Sequence, residues 1–291
     1  LSVFLTSDLK PFLGGGYYPP DDRDGAVGFR TLLQRVNDDW VKKRETILEA
    51  ASNGKAILEP RPRKATPTAA VLSAQPLERT YQDLVSSFDA TDGGFSTAPK
   101  FPRPVALNFL LREYARTGSP QARDMVLQTL GAMARGGIHD QLGGGFHRYA
   151  TDRAWRVPHF EKMLYDQAQL AVAYTEAYQI TKDAAAGDVA RDVLDYVLRD
   201  LRSPEGVFYS AEDADSAIDA GGSRTGEGAF YVWTAEEIRS VLGDAVAAVF
   251  AFHYGVQPSG NVLPQQDLEG TLVGKNVVFA AYTVAETAAR F

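Results

Sequence analysis

The sequence predicts a mainly α protein in which helical hairpins stack into an α/α toroid or solenoid, preceded by the C-terminal part of an α/β domain. Apolar residues recur at helical spacing through most of the chain beyond residue 77. Two short β-prone runs open the chain. A weak repeat, Gly-Gly-Phe at 93–95 and 144–146 and Gly-Val-Phe at 206–208, has the period of one helical hairpin with its loops.

Composition excludes several classes of function. The formal net charge is −7, with 37 acidic residues, and the sequence contains no cluster of Lys and Arg. We therefore predict neither a nucleic-acid nor a membrane partner. No apolar run approaches the roughly 20 residues that span a bilayer. The chain has no cysteine, which excludes disulfides, thiolate catalysis and cysteine-ligated metals in these residues. We expect a cytoplasmic protein.

The first 58 residues predict the end of an α/β domain. Residues 3–6 and 9–13 are β-prone and are joined by Ser7-Asp8, which predicts a hairpin. A helical pattern then runs from Phe29 to Ala51, and Asn53-Gly54 is expected to end it. Two strands and one helix are too few to form a hydrophobic core of their own. The sequence also begins, at Leu1, within an apolar run. We therefore expect the beginning of this domain to lie upstream.

Residues 59–77 contain four prolines without periodicity and predict a linker, so that a helical domain follows over 78–291. Helices are predicted over 77–88, 107–114, 120–135, 158–180 and 184–201. Another is expected to begin at Thr234, which forms a capping box with Glu237. Between the last two helices, residues 206–210 and 228–233 predict two strands that flank an acidic loop.

Residues 136–166 hold three of the four histidines in a glycine-rich and aromatic segment. Imidazole titrates near neutral pH and is the commonest general acid or base. At the end of the segment, four polar residues share one face of the helix predicted from residue 158: His159, Lys162, Asp166 and Gln169. We expect this stripe to line a hydrated cavity. The alternative is a hydrogen-bonded network within the core.

The acidic loop supplies carboxylates that suit acid and base roles. Glu212, Asp213 and Asp215 precede Glu227 by a dozen residues or more, and carboxylates in unlike environments can divide these roles, as glycoside hydrolysis requires. The alternative is a solvated loop. A zinc site is disfavoured because no H-x-x-x-H or H-E-x-x-H pattern is present, and Ala217 interrupts a calcium-loop series. No metal or cofactor is predicted.

Five motifs in order resemble the thioredoxin-domain family that includes spermatogenesis-associated protein 20. They are APKFPRP (98–104), GGGFHRYATDRAWRVPHFEKMLYDQAQLA (143–171), SAEDADS (210–216), GEGAFYVW (226–233) and GKNVV (274–278). The resemblance implies a thioredoxin-like domain followed by a six-hairpin α/α toroid of the kind found in sugar epimerases and glycosidases. The family's cysteine motif would lie upstream of Leu1, about seven helices are predicted where a full toroid has twelve, and Gln167 replaces the usual Asn.

We therefore predict a carbohydrate-active site, glycosidase-like or epimerase-like, with a sugar-like substrate. The candidate catalytic residues are His147, His159, Glu212, Asp213 and Asp215. The candidate substrate-binding residues are Asp140, Arg148, Trp155, Lys162, Tyr165, Asp166, Glu227 and Tyr231. We expect His147, His159 and Asp213 to meet around one basin. Two alternatives are a thiol-redox or chaperone-like protein whose toroid recognises partners, and a toroid kept only as a scaffold.

Overall fold

The computed structural model describes residues 2–22, 25–58, 73–218, 221, 224–267 and 270–291. The chain divides into two compact units, Leu1–Leu72 and Ser73–Phe291. The linker predicted over 59–77 lies outside the described residues as far as residue 72. No helix in the described ranges is long and apolar enough to cross a membrane.

The first unit is a β-hairpin with two helices. Strands β1 (Ser2–Leu5) and β2 (Pro11–Gly15) pair antiparallel, and helices α1 (Phe29–Lys42) and α2 (Arg44–Leu58) follow. The single helix predicted over 29–51 is therefore wrong, because Lys43 leaves helical geometry at φ −135°. The expected stop at Asn53-Gly54 is also wrong. Helix α2 packs on β2, and this contact outweighs the cost of about 1 kcal/mol for a helical glycine.

The second unit consists mainly of stacked helices, which confirms the mainly α fold class. Helix α3 spans Gln75–Ser87 and α4 spans Pro104–Thr117. The remaining helices are α5 (Pro120–Arg135), α6 (Leu164–Thr181), α7 (Ala184–Tyr196), α8 (Ala235–His253) and α9 (Val284–Arg290). Helices α4 and α5 form one hairpin, α6 and α7 form the next, and α6 packs on both members of the first. This is the arrangement expected of part of an α/α toroid.

Local capping explains where several helices begin. The Ser119 side chain accepts a hydrogen bond from Ala122 N at the start of α5, as the sequence predicts. Thr234 and Glu237 form the expected capping box at α8. Helix α8 is broken at Gly243, whose φ is 73°. Helix α7 ends at Tyr196 and continues as a π-helical turn, Val197–Leu201, where one α-helix was predicted.

Short antiparallel strands lie among the helices. The pairs are β3 (Tyr149–Ala150) with β4 (Pro158–His159), β5 (Lys162–Met163) with β6 (Ala211–Glu212), and β7 (Asp215–Ala217) with β8 (Thr225–Glu227). The helix predicted from residue 158 is therefore wrong before Leu164. The strands predicted at 206–210 and 228–233 are wrong too, because each contributes only an isolated bridge, Arg202 to Phe208 and Trp233 to Asn276.

Two apolar clusters lie in the second unit. The larger one lies between helices α4 to α7 and includes Leu107, Met133 and Leu170, all fully buried. The smaller one, around Phe160 and Val277, lies under the loops that carry most of the candidate site residues. Burial of this second cluster fixes the backbone from which the polar side chains project.

Candidate functional site

Residues 159–162 run from strand β4 into strand β5, and their side chains point alternately to the two sides of the extended chain. His159 and Glu161 are partly exposed, whereas Phe160 and Lys162 are each 1% exposed. Side chains of an extended segment alternate between its two faces. The segment therefore carries one polar cluster on each side. We call them the outer cluster (Arg148, His159, Glu161, Tyr165, Asp166, Glu227) and the inner cluster (Asp140, His147, Lys162, Tyr196, Glu212, Tyr231).

A histidine between two carboxylates forms the centre of the outer cluster. His159 Nδ1 lies 2.6 Å from Glu227 Oε1, and its Nε2 lies 3.6 Å from Glu161 Oε2. Arg148 Nη1 donates to the same Glu161 oxygen at 2.7 Å. The hydrogen bond to Glu227 raises the pKa of His159. Burial alone would raise the pKa of Glu227, but the contact with His159 outweighs it and lowers that pKa.

Asp166 lies beside this chain of charges in the first turn of α6 and is 6% exposed. Burial raises the pKa of its carboxyl to about 6, although the Arg148 charge opposes the shift. Its Oδ2 and the Nε of Arg148 are buried, and neither has a hydrogen-bond partner among the described residues. Buried polar atoms are rarely left unpaired, so this donor and acceptor are available to a bound polar molecule.

A buried ammonium organises the inner cluster. Lys162 Nζ donates to Asp140 Oδ2 at 2.8 Å and to Gly144 O at 2.9 Å. It lies 4.3 Å from the ring centre of Tyr196 and 4.9 Å from that of Tyr231. Burial would raise the pKa of Asp140, but the Lys162 charge and the Gly143 N–H outweigh it and lower that pKa. The Asp140 carboxylate is therefore ionised.

Two tyrosines extend the inner cluster to Glu212. Tyr196 Oη donates to Glu212 Oε2 at 2.6 Å. Glu212 itself lies opposite Lys162 in the β5–β6 pair. Burial raises the pKa of both Tyr196 and Tyr231, and the nearby Glu212 carboxylate adds to the effect. Both side chains therefore remain neutral phenols at physiological pH.

The hydrogen bond of His147 fixes its tautomer. Its Nδ1 lies 3.0 Å from the carbonyl oxygen of Phe160, and a carbonyl only accepts. The proton is therefore on Nδ1, and Nε2 is left as an acceptor. Burial, together with the Lys162 charge, lowers the pKa of His147 to about 3. The ring meets Phe160 and Tyr231 edge to face.

The two clusters border different cavities. The inner cavity has a volume of about 210 Å³. Its lining consists of Gly137, His139, Asp140, Gln141, Leu142, Gly143, His147, Phe160, Phe230, Tyr231, Trp233, Val277 and Val278. A second cavity of about 50 Å³ borders His159 and Glu227. His147 and His159 therefore do not meet in the single basin that the sequence predicts.

Residues 1–59 match the family model Thioredox_DsbH, which is described as a protein of unknown function, DUF255. The whole chain is 45% identical to human spermatogenesis-associated protein 20 and 44% identical to the mouse protein. Over its whole length this chain is similar to spermatogenesis-associated protein 20. The chain spans 39% of the length of each of these two relatives.

Among solved structures, the chain is similar to a cellobiose 2-epimerase from Bacillus thermoamylovorans. The TM-score is 0.43 at 14% sequence identity, and the match covers 48% of this chain and 40% of the epimerase.

Three of the predicted site residues lie away from both clusters. Asp213 and Asp215 are exposed, and Asp213 Oδ1 accepts a hydrogen bond from Asp215 N in the loop between β6 and β7. Trp155 is fully buried and donates from Nε1 to Asp92 O at 2.8 Å. It therefore packs in the core and does not border either cavity.

Three residues near the site were not predicted from the sequence: Glu161, Tyr196 and Asp192. Asp192 pairs with His139 Nε2 at 2.8 Å. The polar stripe expected on one helix is also wrong, because His159 and Lys162 lie in strands and face opposite sides. The period-two alternation of HFEK is a signal that indicates this arrangement and places Glu161 beside His159. Within the described ranges, no group of three or more His, Asp or Glu side chains is placed to hold a metal ion.

Proposed function

We propose that the second unit is a carbohydrate-active module whose outer cluster transfers protons on a sugar substrate. The observation that carries this proposal is the unpaired Asp166 Oδ2 together with the unpaired Nε of Arg148, whose guanidinium shares an oxygen of Glu161 with His159. A sugar presents several hydroxyls, each of which both donates and accepts. One hydroxyl bound between Arg148 and Asp166 would satisfy both buried atoms.

The two titrating groups suit complementary roles. His159, stabilised as a cation by Glu227 and Glu161, is the general acid that protonates a sugar carbonyl oxygen. Asp166, whose pKa is raised to about 6, is the base that removes the proton from the neighbouring carbon. The C–H bond breaks, an O–H bond forms on the carbonyl oxygen, and an enediol results. Protonation of the same carbon on its opposite face completes an epimerisation, and protonation of the former carbonyl carbon completes an isomerisation; in both, one enediol O–H bond breaks and its proton returns to His159.

Hydrolysis is less well supported by the arrangement of the acidic side chains. It would rely on two carboxylates that flank a bound glycosidic oxygen. Asp213 and Asp215 are exposed and line neither of the two cavities, and Glu212 is bonded to Tyr196. The outer cluster also has aromatic side chains for a sugar ring, since Tyr149 stacks on the ring of His159 at 4.9 Å and Tyr165 is 47% exposed.

Solvent deuterium incorporation tests this proposal. The chain is incubated in D₂O with glucose, mannose, fructose or cellobiose, and loss of the carbon-bound proton next to the carbonyl carbon is followed by NMR. We expect exchange with at least one of these sugars. His159→Gln and Asp166→Asn should each reduce the rate at least a hundredfold, in line with the usual contribution of a general acid or base.

The matched control is Asp188→Asn, at an exposed position on α7 that pairs with Arg191. It should leave the exchange rate unchanged. Absence of exchange with all four sugars, together with no sugar-dependent rise in melting temperature, would overturn the proposal. Loss of exchange in the control but not in Asp166→Asn would contradict the assigned roles.

A further inference from the structure

The inner cavity has a character different from that of the outer cluster. Most of its wall is apolar or aromatic, with Phe160, Phe230, Tyr231, Trp233 and Val277 among the lining residues. Its volume of about 210 Å³ exceeds the roughly 150 Å³ of an engineered apolar cavity that accepts benzene. There is therefore room for one six-membered ring with a small substituent.

The charged groups of the wall are bonded to one another. Asp140 accepts from Lys162 Nζ through Oδ2 and from the backbone N–H groups of Leu142 and Gly143 through Oδ1. His139 Nε2 is bonded to Asp192. These groups gain little from a ligand because each already has a strong partner.

His147 differs from the charged groups because one of its ring nitrogens has no partner. The bond from Nδ1 to Phe160 O fixes Nε2 as an acceptor, and no donor to Nε2 is found among the described residues. The edge-to-face contacts with Phe160 and Tyr231 hold the ring in place. A fixed acceptor on a mostly apolar wall favours a ligand with one donor group.

We propose that the inner cavity binds a small neutral molecule that consists of one ring and one hydroxyl, and that this hydroxyl donates to Nε2 of His147. The ring contacts the aromatic side chains of the wall. A sugar does not fit this chemistry, because each hydroxyl without a partner would lose its hydrogen bonds to water at a cost of about 1–3 kcal/mol. A cationic ligand is disfavoured by the nearby ammonium of Lys162.

Phenol and toluene are matched probes, since they differ in a hydroxyl and a methyl group. Binding to the full chain is measured by saturation of protein NMR shifts. We expect saturable binding of phenol, with toluene bound about fivefold more weakly because it lacks one hydrogen bond worth about 1 kcal/mol. Because the pKa of His147 is lowered to about 3, the affinity for phenol should be constant between pH 5 and 8.

Substitution at the cavity wall locates the site. Leu142 lines the cavity and is 54% exposed, so Leu142→Trp should fill part of the cavity without disturbing the core, and should weaken phenol binding at least tenfold. The matched control is Leu194→Trp, at a position that is 50% exposed on α7, and it should bind phenol normally. His159→Gln should also bind phenol normally, which separates this site from the sugar site.

Three outcomes would overturn the proposal. One is equal binding of phenol and toluene, or no binding of phenol. Another is unchanged phenol affinity in Leu142→Trp. The third is displacement of phenol by myo-inositol, which would make the inner cavity a polyol site.

Discussion

His159 Nδ1 lies 2.6 Å from Glu227 Oε1 and so joins strand β4 to strand β8 across 68 residues of sequence. The pKa of His159 is raised from 6.5 and that of Glu227 is lowered from 4.5. The histidine's contribution to stability is fully present below pH 6.5 and is lost as pH rises through its raised pKa. The contribution of Glu227 is present above pH 4.5 and is lost as pH falls through its lowered pKa.

The pair should therefore stabilise the fold most between pH 4.5 and 6.5. We predict that Glu227→Gln lowers the free energy of unfolding by about 1 kcal/mol at pH 5.5 and by less at pH 8.5. Urea denaturation at the two pH values measures the difference. Asp195→Asn, at an exposed position on α7, is the control and should show no such dependence. A larger loss at pH 8.5 would contradict the assigned pair.

Asp166 should show a trade of stability for function. Its pKa is raised from 3.8 to about 6, so stability is lost as pH rises from 3.8 through 6 and the buried charge forms. Asp166→Asn should raise the free energy of unfolding by on the order of 2 kcal/mol at pH 8 and change it little near pH 4. The same variant should lose proton exchange on sugars. If Asp166→Asn instead lowered the free energy of unfolding at pH 8, the prediction would be wrong, because the ionised carboxylate would then have a stabilising partner.

Substituting only one partner of the Lys162–Asp140 ion pair should strongly lower the free energy of unfolding. Both side chains are almost fully buried, so Lys162→Met leaves the Asp140 carboxylate without its ammonium and should cost about 3–5 kcal/mol. Adding Asp140→Asn should restore part of that loss, because the amide oxygen still accepts from the loop. The control is Arg191→Met, which breaks an exposed pair and should leave thermal stability nearly unchanged. Equal losses in both single variants would contradict this explanation.

Gly228 should tolerate no side chain. Its φ is 71°, and an added Cβ would lie 2.4 Å from the ring of Phe160. Gly118 at the end of α4 has φ 74° with open space around it. Gly118→Ala should therefore cost only the conformational strain of about 1 kcal/mol, whereas Gly228→Ala should cost at least 2 kcal/mol more. Thermal denaturation of the two variants tests the difference, and similar losses would contradict it.

Local chemistry in the sequence predicted where two helices begin. Ser119-Pro120 and Thr234 with Glu237 each place side-chain acceptors next to unpaired backbone N–H groups, and both helices begin there. The break at Lys43 was not predictable in the same way. No glycine or proline marks it, and the contact of α2 with β2 is a tertiary effect.

The sequence predicted most of the residues of the candidate site, but not which of them lie together. The sequence placed Glu212, Lys162, Asp140 and Tyr231 among the candidates, and they lie together around one ammonium. Asp213 was predicted alongside Glu212, yet strand β6 ends at Glu212 and Asp213 lies exposed in the loop that follows, so only Glu212 bonds to the inner cluster. The thiol-redox or chaperone-like alternative and the scaffold alternative stay predictions.

The alternation from His159 to Lys162 places both proposed sites on one short piece of backbone. Deletion or insertion of a single codon there would turn the imidazole inward and the benzyl group toward solvent, and so would damage both sites at once. Point substitutions in the same tetrapeptide affect one site at a time. The structure therefore constrains the length of this segment more tightly than any single one of its side chains.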